Sequence, residues 1–126
     1  MVAREDGDWL RTDANKIVET WITSGIKFDA IVAACDEMAI GAILALQDAG
    51  VEGVAVSGID GLLMGCEQVK SGDMALTFFA DAHGLAYEAL NTALALCKGE
   101  QPADVVLKDI LVNSENVDEY INMWNS

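Results

Sequence analysis

The chain is short of positive charge, with 7 Lys and Arg against 21 Asp and Glu and a formal net charge of −14. A surface of that sign repels phosphate backbones and anionic lipid head groups, which excludes nucleic acid and membrane surfaces as natural partners. No run approaches the roughly 20 apolar residues of a membrane-spanning helix, so direct membrane insertion is not expected. The three cysteines, Cys35, Cys66 and Cys97, are odd in number and lack CxxC spacing. That argues against both a disulfide framework and a zinc site, and no cofactor or metal is expected. The turn Gly58-Ile59-Asp60-Gly61 is too short for a phosphate loop and lacks its Lys, which excludes that mode of nucleotide binding. The opening residues, Met1-Val2-Ala3-Arg4-Glu5-Asp6, contain no apolar signal region, so a secretory signal is not within this piece. Tandem repeats, low-complexity stretches and linkers are also missing.

What is present is a core. Hydrophobic residues make up 52% of 126 residues, enough for one folded domain and too few residues for two. The pattern alternates strands with helices. Val2-Ala3-Arg4 reads as a weak first strand and Trp9 to Ser24 as a helix striped by Leu10, Ala14, Ile17, Val18, Trp21 and Ile22, stopped by Gly25. The apolar run Ala30 to Ala34 has the character of a strand covered on both faces. Asp36 stands at an N-cap position before a helix from Glu37 to Ala49. Val54 to Ser57, Met74 to Phe79 and Val105 to Val112 supply three more strands. Leu62 to Lys70, Ala82 to Cys97 and Glu115 to Trp124 supply three more helices.

Five strands and five helices in alternation predict an α/β fold, a three-layer α/β/α sandwich around a parallel sheet of about five strands, flavodoxin-like or Rossmann-like. Ligands of such sheets bind beyond the carboxyl ends of the strands. The residues there are Asp6 to Trp9, Cys35-Asp36, Ile59 to Leu63, Ala80 to His83 and Asn113-Ser114.

The run from Phe28 to Ile43, Phe-Asp-Ala-Ile-Val-Ala-Ala-Cys-Asp-Glu-Met-Ala-Ile-Gly-Ala-Ile, resembles the ribose and inositol branch of the type I periplasmic solute-binding proteins. That family reads "fDAivAxNDEMAiGAi" at this point. Val56 to Gly61 is similar to its "VxGiDa", Ser71 to Thr77 to its "sGxmxaT", and Asn116 to Tyr120 to its closing "NVdeY". Gly7-Asp8-Trp9-Leu10-Arg11 fits the "xWxR" that opens the preceding helix. The resemblance covers nearly the whole chain, in order and at matching spacing. Members of that family are longer and close two lobes over a sugar. It implies that residues 1–126 are one α/β unit, the C-terminal lobe-like part of such a protein. The first lobe and the first strand and helix of the second are then absent.

A sugar offers hydroxyls around its rim and C–H groups on its faces, so it is held by carboxylates and amides in its plane and aromatic rings above and below. The resemblance places Trp9 on the stacking ring and Asp60 on the hydroxyl-accepting carboxylate. Cys35 stands where the family has an Asn, Asp36 follows it, and Ala80, before Asp81, stands where the family has a Gln. Two amides are thereby replaced by groups that cannot offer one. Each candidate has a plainer role open to it: packing for Trp9, and helix capping for Asp36 and Asp60. A thiol–imidazole–carboxylate relay from Cys35, His83 and Asp81 or Asp60 would need hydrogen-bond contact that no surrounding motif supports, so no enzyme is expected.

The function implied is recognition of a sugar or polyol for an ABC uptake transporter, with a permease as partner and a periplasmic location. The effector-binding part of a lactose-repressor-type regulator, which shares the fold, is the alternative. The replacement of two amides and the lack of a facing lobe imply weak binding by this chain alone. In the family the chain crosses between lobes near Ala80, so the helix Ala82 to Lys98 would pack on the missing lobe. Its stripe of Leu85, Ala86, Ala89, Leu90, Ala93, Leu94 and Leu96 must otherwise fold back onto its own sheet or pack on a second copy. A homodimer is the expectation.

Overall fold

Helix α1, Arg11–Thr23, turns Ala14 and Val18 inward, and Ser24 followed by Gly25 at φ +74° ends it. Strand β1, Ala30–Val32, leads into helix α2, Asp36–Asp48, the most buried helix of the chain. Its small residues set how close α1 can come: a methyl group at Gly41 would collide with the Arg11 carbonyl. Strand β2, Ala55–Ser57, and helix α3, Leu63–Ser71, follow, the latter closed by Gly72 in the left-handed conformation. Strand β3, Thr77–Phe79, helix α4, Ala82–Cys97, strand β4, Ile110–Val112, and helix α5, Val117–Trp124, complete the chain. The computed structural model describes residues 1–126.

β1 and β2 pair in parallel with Ile31 opposite Val56, while β3 and β4 pair antiparallel with Phe78 opposite Leu111. Isolated parallel bridges, Ser57 to Leu76 and Asp60 to Phe79, join the two ladders side by side. The core lies between β1–β2, α1, α2 and α3, with Met74, Val56, Val112 and Cys66 sealed from solvent. Phe79 packs on Tyr120 of α5 with ring centroids 5.2 Å apart.

The expected sheet of about five parallel strands is therefore corrected to four strands in two small ladders, one of them antiparallel. Val2 to Arg4 forms no strand, and Val105 to Val112 contracts to Ile110–Val112. Ala30 to Ala34 is not covered on both faces. Ile31 and Ala33 are buried, but Ala30, Val32 and Ala55 are exposed, Val32 to 83%. Over β1 and β2 the sandwich has two layers, because no helix of this chain lies against the second face. The antiparallel entry of β4 has a related cause. A parallel return needs a crossover helix packed on the sheet, and α4 has no buried residue at all.

Residues 80–109 thus form an arm that leaves the body and comes back. Leu85, Leu90, Leu94 and Leu96 all remain exposed, as do Val105 and Val106 on the returning stretch, and a cleft of about 1110 Å³ lies between its two limbs. The helix does not fold back onto its own sheet. Only 24 of 126 residues are buried, and the accessible surface is 8326 Å². A compact monomer of 13.4 kDa has about 6,500 Å². The chain leaves uncovered an excess larger than the roughly 800 Å² each partner hides in a standard interface.

Candidate functional site

The carboxyl edge of the β1–β2 ladder gathers three segments: residues 7–11 leading into α1, Cys35 to Met38 at the start of α2, and Gly58 to Met64 after β2. A methyl at Gly7 would press on Met38, which brings the first segment against the second. Arg11 bridges all three. Its Nε donates to Glu37 Oε2 at 2.9 Å, its Nη2 to Glu37 Oε1 at 3.1 Å, and Nη2 also approaches Met64 Sδ at 3.7 Å. The pair is bidentate, which fixes the orientation of both side chains. At about a third exposed it contributes under about 1 kcal/mol to stability.

Three residues other than glycine hold positive φ, and all belong to this edge: Asp8 at +49°, Trp9 at +62° and Asp60 at +111°. For a side chain with a Cβ such conformations cost on the order of 1–3 kcal/mol and persist where the surroundings over-determine them. Trp9 is 67% exposed and so is not packed under the start of α1. Asp60 does not cap α3, whose N-cap is Leu62 without a side-chain acceptor. Its carboxyl is half-buried. Desolvation pushes its pKa above the ordinary aspartate range, the Asp36 amide offsets part of this, and the nearby Asp109 carboxylate adds to it.

The remaining candidates divide. Cys35 is buried at the N-cap of α2, with no side-chain capping bond. Asp36, expected at the N-cap, is instead the first residue inside α2, one position past the cap at Cys35, and is 0% exposed. Its carboxylate turns away from the helix's own amides: Oδ2 accepts from the Leu62 amide at 2.8 Å and Oδ1 from the Thr77 hydroxyl at 2.6 Å. Burial raises its pKa, partly offset by those two bonds. Ala80 is half-buried, just past β3. Asp81 caps α4, accepting from the Gly84 amide at 2.9 Å. The His83 side chain is exposed on α4 and makes no hydrogen bond to Cys35 or to an aspartate, so the Cys35–His83–Asp relay is not assembled. No group of three or more His, Cys, Asp or Glu side chains gathers in a way that could hold a metal.

Several participants escape a reading of the sequence. Glu37 is the partner of Arg11, Thr77 lies beneath the Asp60 turn, and Asp109 approaches Asp60 from the arm. Trp124, 63 positions downstream, donates from Nε1 to the Gly61 carbonyl at 2.9 Å. The spacing of Gly58 and Gly65 held the available signal. A Cβ at either would fall on the Asp36 carboxylate, so both glycines exist to admit a buried acid.

The family described as a periplasmic binding protein domain matches residues 1–101. The chain belongs to that family. The xylitol-binding protein of Mycolicibacterium smegmatis is 37% identical over 120 residues, which cover 94% of this chain and 34% of that protein. The D-xylose-binding periplasmic protein of Escherichia coli is 38% identical over 104 residues, 80% of this chain and 32% of the relative. Among solved structures, an ABC transporter solute-binding protein from Bacillus halodurans with bound myo-inositol superposes with a TM-score of 0.83 at 38% identity, covering 90% of this chain and 40% of that one. The chain thus spans about a third of the length of the relatives it matches. The names of the family and of the Escherichia coli relative indicate a periplasmic location, and the family is one of binding proteins.

Proposed function

We propose that this chain is the C-terminal lobe-like part of the solute-binding component of an ABC uptake transporter, acting outside the cytoplasm on a sugar or polyol and handing it to a permease. The observation that carries the reading is the carboxyl edge itself. An exposed indole at Trp9 and a carboxylate at Asp60 are both held in costly backbone conformations there, in a chain 38% identical over its aligned part to a protein with bound myo-inositol. Trp9 stacks on the ligand and Asp60 accepts its hydroxyls. Cys35, Ala80 and Asp81 line the rim without supplying an amide, and Asp36 stands behind the site.

Residues 80–109 belong to the other lobe in this reading, and their bare leucines are the surface that lobe covers. Alone, the chain covers them by pairing with a second copy, consistent with its excess accessible surface. Sedimentation at tens of micromolar is expected to give a homodimer; a single 13.4 kDa species overturns the pairing.

Titration calorimetry with pentoses, hexoses and inositols tests the site. The isolated chain is expected to bind no tighter than millimolar, because one lobe leaves half the sugar in water and each missing neutral hydrogen bond forfeits about 0.5–1.5 kcal/mol. A chimera supplying the absent lobe of the xylitol-binding relative is expected to bind in the micromolar range and to lose binding with Trp9→Ala or Asp60→Ala. A folded chimera that binds none of the panel sinks the ligand reading. A micromolar hit on the isolated chain sinks the need for two lobes.

A further inference from the structure

In the turn that carries Asp60, residues 59–62, every backbone carbonyl and the amides of Asp60, Gly61 and Leu62 are tied down. The Ile59 carbonyl accepts from the Asp36 amide at 2.7 Å, and the Asp60 amide and carbonyl bond the Phe78 carbonyl at 2.8 Å and the Ala80 amide at 3.2 Å. The Gly61 amide donates to Thr77 Oγ1 at 3.3 Å, and the Gly61 carbonyl accepts from Trp124 Nε1 at 2.9 Å and Cys66 Sγ at 3.5 Å. The Leu62 amide donates to Asp36 Oδ2, and the Thr77 hydroxyl that receives Gly61 donates onward to Asp36 Oδ1. Asp36 and Thr77 are the two polar residues without solvent exposure in the whole chain. They meet at this one turn from positions 41 apart in sequence.

A buried carboxylate is costly, and an apolar residue or an amide would fill the space more cheaply if filling were the only requirement. Asp36 instead supplies two fixed acceptor oxygens, one for Leu62 directly and one for Gly61 through Thr77. The residue immediately before these anchors is Asp60, the non-glycine residue with the most extreme positive φ. An over-determined frame around one strained residue is how a side chain is held at a set angle.

We propose that Asp36, acting through Thr77, is the positioning residue of the site: the pair locks the 59–62 turn and thereby aims the Asp60 carboxylate at the rim. Its significance for binding rests on the reading of Asp60 as a ligand group; the lock itself does not. It places Asp36 behind the ligand contact and not in it.

The test uses this chain and no ligand. Thr77→Val keeps the shape of Thr77 and removes its hydroxyl, Thr77→Ser keeps the hydroxyl, and Val69→Ala is a core control. Two signals are read by NMR: exchange of the Gly61 and Leu62 amides, and titration of the Asp60 carboxyl, which Asp36 and Asp109 face. Thr77→Val is expected to speed exchange at Gly61 and Leu62 on the order of tenfold beyond the control. It is also expected to move the Asp60 titration, which Val69→Ala leaves in place and Thr77→Ser restores. Asp36→Asn, which keeps the shape of Asp36 and replaces one of its two acceptor oxygens by a donor, acts on the same two amides and serves if Thr77→Val does not fold. If either variant leaves both signals where the control leaves them, or if Thr77→Ser behaves as Thr77→Val, the lock is refuted. A chimera that fails to bind sugars while these signals move as described removes the ligand role of Asp60 and leaves the lock standing.

Discussion

The body of the molecule, residues 1–79 with 110–126, and the arm, residues 80–109, are built from the same kind of sequence and have opposite fates. α2 and α4 are both rich in alanine and leucine. α2 buries eight of its residues, while α4 buries none. The difference does not come from helix propensity, which favours α4 at least as much. It lies in what surrounds each helix. α2 has β1, β2, α1 and α3 against it, whereas the arm has only its own returning strand-like limb. Helical sequence was sufficient to form the arm, but no element of this chain covers it.

The largest expected effect that sharpens this contrast is in the core. Met74→Ala, at a sealed position of the body, should lower unfolding free energy by about 2–5 kcal/mol in urea titrations. Leu90→Ala, 69% exposed on the arm, should fall within about 0.5 kcal/mol of wild type at sub-micromolar concentration. A cost at Leu90 comparable to that at Met74 under dilution would break the comparison and show a covered arm.

Next in size is Gly65→Ala. The new methyl meets the Asp36 carboxylate, which is anchored at both oxygens and cannot swing aside, so a loss of about 1–3 kcal/mol is expected. Thermal melts that place this variant level with wild type would mean the clamp yields.

Smaller still is the pH response of the site. The Asp60 pKa is raised in the folded state, so its contribution to stability is fully present below about pH 4 and is lost as pH rises through the raised value. Asp60→Asn removes that loss. Its urea midpoint should exceed that of wild type at pH 7, and the gain should vanish towards pH 3. A gain that persists in acid would assign the effect to something other than the desolvated charge.

The least perturbing test is chemical. Cys66 is buried, its thiol is pushed up to about 11 and it bonds the Gly61 carbonyl, and Cys35 is buried too. Cys97, at the exposed end of the arm, should therefore be the one thiol that a disulfide reagent titrates in the native chain at neutral pH. Two or three reactive thiols would mean that the body opens as readily as the arm.

Much of this protein is local and could be read from its residues. The helices came out within a few positions because apolar period and glycine stops are properties of a short window. Trp9 and Asp60 could be singled out because each follows or ends a recognisable motif, and the family is written in four such motifs. The strands were harder. Val2 to Arg4 has the composition of a strand but joins no ladder, and a strand exists only as part of one. The same physics shortened the last strand and left Val32 bare. The role of Asp36 also depended on distant residues. Its position suggested a cap, and only the approach of Thr77 and Leu62, 41 and 26 positions away, gave its oxygens stronger partners than its own helix. Periodicity, turn chemistry and motif order belong to the chain alone. Strand pairing, the covering of an apolar face and the satisfaction of a buried carboxylate are decided by groups remote in sequence, because each requires a partner that only the tertiary structure brings within reach.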